Sequence, residues 1–191
     1  MTKVRDEQDK LTSKGVLVSG QRIEIGGDVD NSTVIVAGGD VNLFPKKLPV
    51  HTMVQKAIKM LRTDDYDRAL EACMQVLADE PHHPEANLLV GIALLKGRSA
   101  DRLQNQIVTR VEKHLSFAID DPSIAPTTLA VLGIVKYDHY VVNGLFEGQP
   151  TLKQILQLLK QEGHHRINRE LLQYVSGSTS AREYLGIVES E

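Results

Sequence analysis

The sequence predicts a mainly α protein: an array of α-α hairpins preceded by a small N-terminal β segment and closed by C-terminal capping helices. Three observations carry that expectation. Residues 16–44 interleave β-branched residues with Gly, Asp and Asn, which is the chemistry of short strands and turns. From Val50 onward the apolar residues recur at the helical period, with Met53, Val54, Ala57, Ile58, Met60 and Leu61 on one broad face. Small residues also stand at matching places in successive helical stretches, at Ala57, Gly91 and Gly133.

Composition bounds the function classes. The chain has 191 residues, 41% of them hydrophobic and 25% charged, enough apolar side chain for one ordinary domain with an appendage. Its 22 Lys+Arg against 25 Asp+Glu give a formal charge of -3. Without a basic run there is no footprint to hold a phosphate backbone, so no nucleic-acid partner is expected. The N-terminus mixes Lys3, Arg5, Asp6, Glu7 and Asp9 where a signal peptide needs an apolar stretch. The mature protein is therefore expected to be the whole chain, in the cytoplasm. The longest apolar run, Leu88 to Leu95, is far below the ~20 residues of a membrane span. Cys73 is the single cysteine, which leaves no intrachain disulfide and favours a small packing residue over a nucleophile.

Taken in order, residues 1–15 are expected to be disordered and residues 16–45 to form short strands or hairpins. Gly26-Gly27-Asp28-Val29 recurs as Gly38-Gly39-Asp40-Val41, a spacing that suits two successive hairpin arms or two rungs of a short coil of strands. Strands this short are marginal alone. The segment is expected to lean on the helices or to pair with other copies, which makes homo-oligomerisation through residues 16–45 a candidate role. Pro45 and Pro49 break regular structure and set the boundary to a helical domain over 50–191.

Within that domain, Tyr66 lies three residues before Ala69, and Pro81 follows the second helix. Pro84 to Gly97 then begins a second unit with Val90-Gly91, and Ala57 and Gly91 are 34 residues apart. This pattern resembles the tetratricopeptide repeat, with Ala57, Ala69 and Gly91 allowing helices to approach, Tyr66 wedging a turn and Pro81 ending a helix. A third unit is read around Leu129 to Tyr137 with Gly133 in the small position, after about eight extra residues placed between Gly97 and Asn105. The second unit departs from the family where Val111 replaces a small residue and the wedge aromatic is missing. Beyond residue 145, an amphipathic helix through Leu152, Ile155 and Leu159 ends at Gly163, and a last stretch around Ile167, Leu171, Leu172 and Val175 caps the array.

The resemblance implies protein–protein recognition through a concave surface. Its inward positions would be His51, Val54, Ile58, Leu61 and Arg62, then Glu85, Leu88, Ile92, Leu95 and Lys96, then Thr127, Ala130, Ile134 and Tyr137. The apolar members, Val54, Ile58, Leu61, Leu88, Ile92, Leu95, Ala130, Ile134 and Tyr137, form the candidate partner-binding groove. Val54 and Ile58 stand where carboxylate-clamping members carry Lys and Asn, which excludes that specialisation. An open apolar groove is an aggregation hazard, so it is expected to be filled, at least in part, by the chain's own C-terminal helix or by a partner.

Other chemistry is weaker. His82-His83 and His164-His165 are adjacent pairs whose side chains diverge by about 100° on a helix, so no metal site is expected. Asp138, His139 and Tyr140 lack an accompanying nucleophile motif and read as solvated helix polarity. No cofactor is implied, because the Gly-Gly pairs carry no Lys-Ser/Thr and open no helix. The glycine- and aspartate-punctuated strands resemble segments that precede repeat or effector modules in bacterial multicomponent defence proteins. The expected function is thus a non-enzymatic adaptor or scaffold, with a cytosolic chaperone for a protein substrate and an enzyme with an unrecognised site as alternatives.

Overall fold

The computed structural model describes the backbone of four strands between residues 15 and 45 and, with side chains, residues 48–187. The chain divides into two compact units, Met1–Leu48 and Pro49–Glu191. In the first, β1 (Gly15–Val18) pairs antiparallel with β2 (Gln21–Glu24), and β3 (Ser32–Ala37) pairs antiparallel with β4 (Asp40–Pro45). The register sets Val18 opposite Gln21 and Ala37 opposite Asp40. The disorder expected for residues 1–15 falls outside the described residues, apart from Gly15 at the start of β1.

The second unit is helical throughout its described residues: α1 (Val50–Leu61), α2 (Tyr66–Asp79), α3 (Pro84–Leu95), α4 (Asn105–Ala118), α5 (Ala125–Lys136), α6 (Leu152–Glu162), α7 (Arg169–Leu172) and α8 (Thr179–Leu185). Helices adjacent in sequence pack in antiparallel pairs, α1 on α2, α3 on α4 and α5 on α6, with α2 also against α3. Local chemistry sets the boundaries. The Asp65 carboxylate accepts from the Arg68 N–H at 3.4 Å to cap α2, and His83 Nδ1 accepts from the Ala86 N–H at 3.2 Å to cap α3 ahead of Pro84. Thr151 and Gln154 form a reciprocal capping box on α6, which ends at Gly163 with φ 88°.

Two kinds of helix build the core. α1, α2, α4 and α6 are amphipathic; α1, for instance, buries Met53, Val54, Ala57 and Leu61. α3 and α5 have no exposed face, with every residue from Ala86 to Leu95 and from Ala125 to Lys136 buried. Small residues permit the close pairing: a Cβ on Gly91 would lie 2.8 Å from Leu115 Cδ2 of α4, and one on Gly133 would lie 2.8 Å from both Cδ atoms of Leu185. Ala57 and Ala69 are fully buried, while Pro81 is exposed in the turn between α2 and α3.

Tyr66 donates its hydroxyl to Asp64 Oδ1 at 2.8 Å, and its ring lies over Gly97, just past the end of α3. Between α3 and α4 the chain passes through Gly97 and forms a single 3-10 turn at Ala100–Arg102. After α5 the chain makes a π turn over Tyr137–Val141, with the Val142 N–H donating to the Tyr137 carbonyl at 3.2 Å.

Gly97 has φ 64°, and a Cβ there would sit 2.6 Å from the Tyr66 hydroxyl. Gly97→Ala combines left-handed strain with displacement of Tyr66, and is expected to lower urea-unfolding stability by about 1–2 kcal/mol. Gly148, where an added Cβ would meet nothing within 4 Å, is the control: Gly148→Ala is expected to stay within about 0.5 kcal/mol of the parent.

Candidate functional site

The apolar residues read as a partner-binding groove lie inside the domain. Val54, Leu61, Leu88, Ile92, Leu95, Ala130 and Ile134 are all at most 1% exposed, and Ile58 and Tyr137 are half-buried. No open groove therefore runs through these positions, and the reason on the α5 side is the chain itself. Beyond α6, residues 163–187 return across α5. The Asn168 N–H donates to Thr127 Oγ1 at 2.8 Å, and Glu170 pairs with Arg62 at the end of α1. The Gly177 backbone lies so close to Ile134 that a Cβ would collide with it, and the rings of Tyr184 and Tyr137 are 5.4 Å apart.

This returning segment is pinned by a buried carboxylate. Asp138 is 1% exposed. It accepts from the Ser178 N–H at 3.0 Å, from the Ser178 hydroxyl, and from Ser99 Oγ at 3.3 Å. Ser178 Oγ in turn accepts from the Ala181 N–H at 3.0 Å, capping α8. One carboxylate thus ties together the loop after α3, the π turn and the last helix.

The sequence reads Asp138, His139 and Tyr140 as solvated, but all three are buried. In a regular helix three consecutive residues fan over about 200°, so burying all of them needs partners on several sides. Asp138 meets the serines. His139 Nδ1 lies 3.1 Å from the Ala100 carbonyl and its Nε2 3.4 Å from Asn105 Oδ1. Tyr140 donates to Glu112 Oε2 at 3.2 Å, and burial together with that carboxylate pushes its phenol up to about 12. Lys136, 1% exposed, sits 3.1 Å from Glu112 Oε1, donates to the Gly148 carbonyl at 3.0 Å and lies over the Tyr140 ring.

A second polar cluster joins α3 to α4. Asn87 Nδ2 donates to the Pro81 and His83 carbonyls at 3.1 and 3.0 Å, which leaves Oδ1 to accept from His114 Nδ1 at 2.8 Å. Burial lowers the His114 pKa, and Arg110 and Lys113 lower it further, in keeping with a neutral ring that donates through Nδ1. Cys73 is fully buried, its thiol pushed up to about 12 by burial and by Glu85, so it packs as an apolar residue. Among the described residues no group of three or more His, Cys, Asp or Glu is placed to hold a metal ion, and no helix is long and apolar enough to cross a membrane.

One exposed feature escapes a reading of the sequence. The end of the π turn and the loop after it present Val141, Val142 and Leu145, each about half exposed, and Phe146, 95% exposed. It is nonetheless tethered. The Leu145 N–H donates to the Tyr140 carbonyl at 2.7 Å, Asn143 Nδ2 donates to the His139 and Asp101 carbonyls, and Glu147 accepts from the Leu152 N–H at 2.9 Å. The signal is two adjacent valines and a Leu-Phe pair around Asn143-Gly144, apolar residues in a turn context where no periodicity assigns them to a core.

No protein-family model matches the chain, and comparison with the curated proteins and with the solved structures returned no match.

The Lys136–Glu112 pair gives a direct test of this buried network. Glu112→Gln leaves the Lys136 ammonium without its counter-charge and is expected to cost about 3–5 kcal/mol in chemical denaturation. Lys136→Met combined with Glu112→Gln is expected to recover much of that loss, because no unpaired charge remains inside.

Proposed function

We propose that the protein is a non-enzymatic adaptor of the cytoplasm: a tetratricopeptide-like helical domain holds a protein partner, and the β unit oligomerises or docks onto another member of a bacterial defence-type assembly. The observation that supports partner binding is the tethered apolar loop. A phenylalanine held out in solvent on a hydrogen-bonded loop gains nothing for the fold. Aromatic side chains are the anchors on which protein interfaces concentrate their energy, and Val141, Val142 and Leu145 add exposed apolar surface on the same stretch. The buried polar groups of the π turn speak for structure over turnover, since His139 is directed at a backbone carbonyl and an amide rather than at a hydroxyl to be activated.

Phe146→Asp leaves the fold within about 0.5 kcal/mol of the parent and abolishes capture of the partner trapped by a photo-crosslinker at position 145. Recovery of the same partner by the Phe146→Asp chain would overturn the assignment of this loop as the docking point.

A further inference from the structure

The stripe of α5 that the hairpin pattern turns inward is occupied by residues of the same chain. Asn168 and Gly177 meet it at Thr127 and Ile134, seven residues apart and hence on one helical face, and Ser178 meets Asp138 in the π turn just beyond the helix. The two helices of the covering segment are four and seven residues long, well under the roughly 12–15 residues at which an isolated helix begins to hold in water. Their helicity depends on the surface they cover. The outer ion pair of this segment, Arg62–Glu170, is half exposed on both sides and holds it weakly. A segment that is helical only on its site has the properties of a bound ligand.

Three contacts define what that site accepts. Asp138 takes two of its three hydrogen bonds from Ser178, so any replacement must bring a hydroxyl at a helix N-cap or leave a buried carboxylate short of donors. Only glycine fits immediately before that hydroxyl, because a Cβ at Gly177 runs into Ile134. Leu185, seven residues beyond Ser178, fills the notch left by the missing side chain of Gly133.

We infer that residues 168–185 are a self-bound occupant of a peptide-binding stripe on α5, and that the partner competes for this stripe with a segment of the same chemistry: glycine, a helix-capping serine or threonine, and leucine seven residues beyond the hydroxyl. The inference rests on the adaptor reading, yet its test needs no partner, so loss of capture through Phe146 and failure of this competition are separate results.

The experiment uses the full chain and a fluorescent peptide with the sequence of residues 168–187. Ser178→Asp sets a second carboxylate against Asp138 and is expected to speed amide exchange over 168–187 by at least about tenfold while α1 to α4 keep their protection. The peptide is expected to bind that variant at least about tenfold more tightly than it binds the parent, and a peptide carrying Ser178→Asp is expected not to bind. Exchange of the segment and of α1–α4 at one common rate in both chains, or peptide binding to neither, would overturn the inference. Should Ser178→Asp unfold the whole domain, exchange of the parent chain in rising urea decides: the inference requires residues 168–187 to open before α1–α4, and a single joint opening contradicts it.

Discussion

A helix with no polar face has to be enclosed on every side, and α5 imposes that requirement on this domain. All twelve of its residues from Ala125 to Lys136 are buried, so one neighbouring helix is not enough. α6 covers one side and α4 another, and the chain must turn back beyond Gly163 to cover the stripe through Thr127 and Ile134. The short α7 and α8, the collision-tight passage of Gly177 and the seat of Leu185 over Gly133 all follow from that need. Burial of the apolar side chains of the returning segment, among them Leu171, Leu172, Val175 and Leu185, supplies the hydrophobic stabilisation that offsets its ordering.

Polar groups determine where the covering segment sits. Apolar contact alone tolerates sliding by a residue or more, because burial is non-directional. Asp138 removes that freedom, since only one register brings the Ser178 amide and hydroxyl to it together. The same π turn directs Tyr140 to Glu112, and Lys136 at the end of α5 reaches the Gly148 carbonyl, which fixes the course of the loop that carries Phe146. Enclosure of α5 and presentation of the exposed aromatic thus both depend on buried polar side chains between Lys136 and Tyr140.

Much of the helical plan is legible in the sequence. The period of Met53, Val54, Ala57 and Leu61, the small residues at Gly91 and Gly133, the helix break after Gly97 and the stop at Gly163 each reflect local chemistry that needs no knowledge of distant residues. The inward stripe of α5 is also legible as a stripe. Its burial follows less directly, because exposure depends on the path of residues some forty positions later, and sequence periodicity does not encode that path. One clue is present: Ala125 to Val135 carries only Thr127 and Thr128 as polar residues, and a helix apolar all round is covered all round. The burial of Asp138, His139 and Tyr140 is hidden for a related reason, since three consecutive polar residues look solvated until a π turn and a returning chain supply their partners. Phe146 sits in a loop, where no period distinguishes an anchor from a stray apolar residue.

The measurement that bears most directly on this account is a double-mutant cycle by urea unfolding between Asp138→Asn and Ser178→Ala in the full chain. A buried, charge-assisted hydrogen bond that fixes the returning segment predicts a coupling energy of about 1–3 kcal/mol. Additivity of the two substitutions within about 0.5 kcal/mol would mean that the segment holds its place without Asp138, and would contradict the account.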